Sequence, residues 1–370
     1  MHEFLREMNE EVLNKYDAVT VGELPHTPDP NKVLQYVGAG DKQLSMVFQF
    51  DIVDLGRDQE HKYHSEEWKL SDLKAIVAKW QQFIDGTDGW TTVFCENHGE
   101  FSLILLYSSS PKLTQMQPPK KDQGRSISRY CSEAPESRVP SAKLLALMLC
   151  ALTGTLFIYQ GQEIGMINVP RSWPIDSYRD IESVNFYNTM AAQSGNDPAE
   201  LDYLMRSLQM LARDNARLPM QWDGDTAHAG FTDADAEPWM RVHDLYGEIN
   251  VARQVAEGEG SVLGFWKSMI RLRKRHGDLL VHGAFEGFGM ESEKTFVFGK
   301  RGEGGRRAAV VLNFTGEEQD VELPEYEGLA LEVGSYDDAA EAEKGVAGRM
   351  RRLRPWEGRL YLAGGGGLEN

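Results

Sequence analysis

Cysteine is scarce in this chain: there are three, Cys95, Cys131 and Cys150, with no Cys-x-x-Cys spacing and no histidine cluster beside them. That argues against a disulfide framework and a Cys/His metal centre, and reads as buried, reduced thiols. No metal and no cofactor is expected. Long hydrophobic runs are missing too; none approaches the roughly 20 residues that a bilayer-crossing helix needs. Met1-His2-Glu3-Phe4-Leu5-Arg6-Glu7 is no secretory leader, so a cytoplasmic location is the default. Positive charge is in deficit, with 39 Lys and Arg against 57 Asp and Glu and a net charge of −18. A polyanion would be repelled over most of such a surface, which argues against nucleic acid and anionic membranes as partners. A small neutral substrate is expected, and nothing in the sequence speaks to oligomeric state.

What is present is an ordinary globular composition, 41% hydrophobic and 26% charged over 370 residues, enough for one large domain and a smaller one. Phe4, Met8 and Val12 recur at steps of four, predicting an amphipathic helix over residues 3–16 with one buried stripe. Ala18-Val19-Thr20-Val21 reads as a strand buried on both faces. It delivers Glu23 to the place where βα folds carry their active residues. The unit repeats: a short helix from Pro30 to Tyr36, a strand from Met46 to Asp51, a helix from a Ser71 cap to Ile84, and a strand from Thr91 to Asn97. Ser141 to Leu152 is a nearly all-apolar helix, and Thr155 to Gln160 a fourth strand. Residues 165–260 are too long for a plain connection and predict a functional excursion with short helices. Ser261 to His276 closes the series as a helix with Leu263, Trp266 and Ile270 on one stripe.

From Phe285 the texture changes. Lys294–Gly299, Ala308–Phe314, Val321–Leu323 and a last strand within Arg354–Leu362 follow one another without helices, the pattern of an antiparallel β domain. Gly302–Gly305 is a hairpin turn rather than a phosphate loop, since no strand-to-helix context surrounds it. The fold class is therefore α/β: a βα domain over 1–284 and an antiparallel β domain over 285–370. Four βα units are half of the eight that close a parallel barrel. Left alone they would expose two sheet edges.

The stretch around which the rest is organised is split. Thr92-Val93-Phe94-Cys95-Glu96-Asn97-His98 is a strand running into polar residues, and Asp122-Gln123-Gly124-Arg125 is the loop that should follow at once. Residues 99–121 between them have neither helix nor strand logic and no acid after Glu100. Rejoined, Glu96-Asn97-His98-Asp122 resembles the Asn-His-Asp motif of glycoside hydrolase family 13. Thr20-Val21-Gly22-Glu23, Phe48-Gln49-Phe50-Asp51, Ile158 to Met166, Ala212 to Asp223 and Pro238 to Val242 are similar to maltases and oligo-1,6-glucosidases of that family.

The resemblance implies the C-terminal half of a (β/α)8 TIM barrel, strands 5 to 8, followed by a β-sandwich. It also implies release of terminal α-linked glucose from a maltose- or isomaltose-like oligosaccharide by retaining double displacement. Matched motif by motif, Glu23 falls on the general acid/base, Asp122 on the carboxylate that stabilises the oxocarbenium-like transition state, and His98 on a histidine holding a sugar hydroxyl. Arg213 and Arg217 fall in a motif near substrate, although ion pairing alone suits them equally. A retaining glycosidase needs a second carboxyl about 5 Å from the acid to form the glycosyl-enzyme. In the family that aspartate lies on the strand before the helix with which this chain begins. The nucleophile, the first four strands and the inserted subdomain are therefore expected to be missing, and the chain to be catalytically incomplete. Gly99-Glu100-Phe101 can be encoded by a splice-donor sequence, so residues 99–121 read as an intron translated in frame. The competing expectation is a non-catalytic amylase-like binding or partner subunit.

Overall fold

The computed structural model describes residues 1–58, 63, 65–97, 124–344 and 346–363. Helix α1 (His2–Glu11) leads to strand β1 (Val21–Leu24), then α2 (Pro30–Val37), β2 (Met46–Gln49), the short α3 (Asp51–Asp54) and α4 (Leu70–Gln82). Strand β3 (Thr92–Val93), α5 (Ser126–Tyr130), α6 (Pro135–Ala151) and β4 (Thr155–Leu156) complete the alternation. β1 pairs with β2 in parallel, Glu23 opposite Phe48, and β3 with β4 in parallel, Val93 opposite Leu156. Thr92 Oγ1 donates to Val47 O at 2.9 Å and joins the two pairs into the order β1-β2-β3-β4. Phe48, Phe94 and Phe157 meet edge to face, with centroids 5.0 and 4.6 Å from Phe48, and mark the face of this sheet that looks into the barrel.

Helix α6 backs the sheet. Every residue from Ser141 to Ala151 is buried, because the helix has the barrel on one side and the β domain on the other. Its C-terminal carbonyls are answered by a cation: Arg273 donates to the carbonyls of Cys150, Leu152 and Gly154. That arginine lies near the end of α10 (Val262–Arg275), preceded in the chain by α7 (Ile181–Gln193), α8 (Pro198–Leu211) and α9 (Val251–Glu257). The excursion over 165–260 thus holds two helices of ordinary length, not only short ones.

After the short α11 (Gly277–Leu280) come β5 (Ala284–Phe288), β6 (Thr295–Arg301), β7 (Arg307–Asn313), β8 (Gln319–Glu322), β9 (Leu329–Gly334), α12 (Ala339–Ala342), β10 (Met350–Leu353) and β11 (Gly358–Ala363). Five strands pair antiparallel in the order β5-β6-β7-β11-β9, and β8 pairs with β10 as a second layer. Alternation divides the residues between two cores. Phe296, Phe298, Val310 and Leu312 face the helices, whereas Val297, Val311 and Tyr361 meet Val321 and Leu353 inside the sandwich.

Three local expectations are corrected. Phe4, Met8 and Val12 are 71%, 39% and 48% exposed and no residue of α1 is buried. Val19 is 74% exposed, outside a strand that starts only at Val21. A repeat of apolar residues predicts a stripe but not what covers it, and β1 is an edge with nothing beyond it among the described residues. Ser71 is inside α4, whose first turn is closed by Lys69 N donating to Asp72 at 3.0 Å. The three thiols are free, Cys95 and Cys150 buried and Cys131 partly so.

Candidate active site

Strand polarity decides where chemistry can gather. All four strands are parallel, so their C-terminal ends share one rim. Glu23 is one residue from the end of β1, and because its register partner Phe48 points into the barrel, Glu23 shares that interior face. Its side chain is exposed. Asp51, at the end of β2, instead ties the strand to α4 by accepting from Lys79 Nζ at 2.7 Å and Trp80 Nε1 at 3.0 Å.

The end of β3 is built around Glu96. Its Oε1 accepts from Ser126 N at 2.8 Å and Ser126 Oγ at 2.6 Å, and its Oε2 from Arg125 Nη1 at 3.1 Å. Both ionic side chains are 1% exposed. Arg125 also donates to Gln160 O at 2.7 Å and Asn215 O at 3.1 Å, while its backbone N–H donates to Asn168 Oδ1 at 2.7 Å. One guanidinium therefore fastens together the ends of β3 and β4 and the Arg213–Ala216 turn. Gly124 is required beside it, since a Cβ there would stand 2.8 Å from Met210 O. His98, Asp122 and the whole of 99–121 lie outside the described residues. Their flanks do not: Asn97 and Gly124 are each one or two residues from the Glu96–Ser126 bonds, so the chain departs and returns at one point of the rim.

Arg213 and Arg217 converge on Asp180. Arg213 Nη1 is 3.2 Å and Arg217 Nη1 3.8 Å from Asp180 Oδ1. Asp180 at the same time caps α7, accepting from Ser183 N at 3.1 Å. Beside it Asp214 accepts from the Arg179 and Asp180 backbone amides, and burial pushes its carboxyl upward. Arg213 is buried and Arg217 about a quarter exposed.

Two features of the rim were not singled out from sequence. One is Glu96 as the partner of Arg125: the sequence suggested that Arg125 simply holds a loop carboxylate, but not which one. The other is Glu163, just beyond β4, whose carboxyl is pushed up by burial. Among the described residues, Asn97 Oδ1, Arg125 Nη2, Gln162 Nε2 and Glu163 Oε2 are buried without a hydrogen-bond partner. Buried polar groups are nearly always paired, so orphans collected at the ends of β3 and β4 mark a place where a polar ligand can supply the partners.

The family model described as alpha amylase, catalytic domain, matches residues 1–117 and 110–283. The chain belongs to that family. The match falls in two pieces that meet within the segment expected to be an insertion. An alpha-glucosidase of Candida albicans is 39% identical over 366 residues, 98% of this chain and 57% of the relative. An oligo-1,6-glucosidase of Parageobacillus thermoglucosidasius is 38% identical over 365 residues, 98% of this chain and 58% of the relative. This alpha-amylase-family chain thus spans a little over half the length of these relatives. The trehalose-6-phosphate hydrolase of Bacillus licheniformis superposes with a TM-score of 0.82 at 30% identity, covering 98% of this chain and 59% of that one. The isomaltulose synthase SmuA of Protaminobacter rubrum gives 0.81 at 28% identity, covering 98% and 58%. The four βα units are accordingly the C-terminal half of the TIM barrel, followed by the β-sandwich.

Proposed function

We propose that this alpha-amylase-family chain is the acid/base-bearing part of an α-glucosidase that releases terminal α-linked glucose from maltose- or isomaltose-like oligosaccharides with retention. The observation that carries this reading is Glu23, held on the interior face at the C-terminal end of β1, on the rim where the residues after β3 and β4 leave polar atoms without a partner among the described residues. Glu23 protonates the glycosidic oxygen and later deprotonates water. Asp122 stabilises the positive charge developing on the sugar ring, and His98 holds a hydroxyl beside it. Arg213 and Arg217 reach the substrate side of the rim from their shared anchor on Asp180. The barrel part ends at residue 284 and the sandwich takes 285–370.

Two further points belong to the proposal. The carboxylate nucleophile of a retaining scheme has no counterpart among these residues, so the 370-residue polypeptide alone does not turn over. Residues 99–121 are an insertion, an intron translated in frame, and Glu96 bonded to Ser126 makes its removal compatible with the flanks as they stand.

The test mixes polypeptides. The chain lacking 99–121 is co-expressed with the part of the Candida albicans relative that it does not cover, and hydrolysis of p-nitrophenyl α-glucoside is measured. Turnover is expected from the mixture and not from the chain alone, and Glu23→Gln should lower it by at least about a hundredfold. A mixture that is folded but inert, or one indifferent to Glu23→Gln, would overturn the assignment.

A further inference from the structure

The four parallel strands have two outer edges, and the exposed apolar and charged residues of the barrel part are sorted between them. One edge is β1. Met46 N donates to Thr20 O at 3.2 Å, so the alternation of a parallel ladder turns the backbone of Val21 away from β2. The other is β4, where Thr155 N and Phe157 N donate to the carbonyls of Thr91 and Val93 and the backbone of Leu156 is turned outward. No strand lies beyond either edge among the described residues. Edges left open in this way are templates for a further strand.

Beside β1 the surface is apolar. Phe4, Met8 and Val12 form one exposed stripe on α1, and Tyr16, Val19 and Val21, exposed as well, follow it along the chain into β1. Exposed apolar residues scattered singly need no explanation, but these come one after another. A hollow of about 400 Å³ opens next to them, between Leu13, Tyr16, Leu44 and Trp90.

Charge is divided between the same two edges. Glu3, Glu7 and Glu11 are exposed alongside the α1 stripe at steps of four. Helix α10 lies along β4, tied to it by Arg273 on the carbonyls of Leu152 and Gly154, and its outer face carries Lys267, Arg271, Lys274 and Arg275, all exposed. The ion pairs these residues make within the chain are long and open to water: Glu11 with Lys15 at 3.5 Å, Arg271 with Glu259 at 3.6 Å and Arg275 with Glu332 at 3.9 Å. Each of the two helices ends towards the start of its strand, so side by side they run parallel. Steps of three to four residues, about 5–6 Å, then set Glu3, Glu7 and Glu11 against Lys267, Arg271 and Lys274.

We propose that these edges form an interface with a second copy of the chain. Two half-barrels related by a twofold along the barrel axis close into eight parallel strands, β1 of each copy beside β4 of the other and α1 of each packed on α10 of the other. The two junctions are identical by symmetry, so the assembly stops at two copies. A net charge of −18 opposes approach at long range, but 0.15 M salt screens charges beyond about 8 Å, and the facing helices meet within that distance. The interface needs the two edges and not the chemistry of Glu23, so it is independent of the α-glucosidase reading.

The test is the mass of the full chain by sedimentation equilibrium in about 0.15 M salt, where twice 41.7 kDa is expected at concentrations up to about 100 μM. Glu7→Lys with Glu11→Lys, and separately Arg271→Glu with Lys274→Glu, change only exposed positions, and each pair should weaken the dimer at least about tenfold. Mixed in equal amounts, the two variants should recover it, because each junction of the mixed pair then has either two native or two reversed helices. A chain that stays at 41.7 kDa overturns the proposal, and if it instead binds the part of the Candida albicans relative that it does not cover, the edges belong to another polypeptide. A dimer indifferent to both reversals, or variants that fail to complement each other, overturns it as well, since the copies then meet through other surfaces. None of these outcomes bears on Glu23 or on the hydrolysis assay.

Discussion

Arg125 is buried against Glu96 with its remaining donors on Gln160 O and Asn215 O, so removing either charge strands the other in a medium that cannot solvate it. Arg125→Met is expected to cost about 3–5 kcal/mol in urea denaturation, and Glu96→Gln added to it should recover part of that loss. His243 offers a test by pH. Its ring donates from Nε2 to Asn168 O at 3.0 Å and accepts Leu245 N at Nδ1, and burial lowers its pKa from 6.5 to about 4. The unfolded ring binds its proton near pH 6.5 and the folded one only near 4. The unfolded state therefore carries more protons between those values, and stability falls as the pH is lowered through that window. The effect on unfolding free energy approaches roughly 3 kcal/mol, and His243→Gln should flatten it. Glu23 was legible as a strand-end carboxylate, and the acid/base role proposed for it came from its motif. That Arg125 holds a loop carboxylate was legible; that Glu96 is that carboxylate was not, because the contact is made across the residues that separate the two halves of the Asn-His-Asp motif.

Helix boundaries followed from local chemistry where a cap is present. Ser261 accepts from Gly264 N at 3.0 Å at the start of α10, and Ser261→Ala should cost about 1 kcal/mol, read from the thermal midpoint. Strands β3 and β4 are two residues each although the apolar runs that predict them are longer. Phe157 N still donates to Val93 O at 2.9 Å, and beyond that the backbone turns away so that Glu96 can reach Ser126. Helix α1 shows the opposite failure, since its periodic stripe is real and uncovered. It meets the rest of the barrel part through His2, against Tyr36 and Gln43, and Asn9, on Gln43 O, but buries no residue, and a ten-residue helix held so lightly is marginal. Hydrogen exchange should therefore find His2–Glu11 the least protected helix of the barrel part, and Phe4→Asn with Val12→Asn should reduce light scattering while changing stability by less than about 0.5 kcal/mol.

At the scale of the molecule, barrel and sandwich share one core. Leu144 and Leu147 of α6 belong to the same apolar cluster as Phe296, Phe298 and Leu360. Lys300 lies in that seam, fully buried, donating to Thr153 Oγ1, and burial lowers its pKa to about 7. An unfolded lysine keeps its proton to about pH 10.4, so between these values the unfolded state binds more protons and stability rises with pH. Melting should accordingly be higher at pH 9.5 than at pH 7, and Lys300→Met should remove that difference while raising the midpoint at pH 7.

The order of βα units, the change to antiparallel strands near residue 285 and the family motifs were all determined by the chain's own residue types. Each depends on local periodicity or on which side chain follows a strand. The tertiary structure alone decided which faces are covered, that Asp180 gathers Arg213 and Arg217, and that Lys74 reaches across to hold the β5–β6 hairpin. Those contacts join residues tens to hundreds of positions apart. Long-range pairing is settled by packing of the whole chain, which no local pattern encodes.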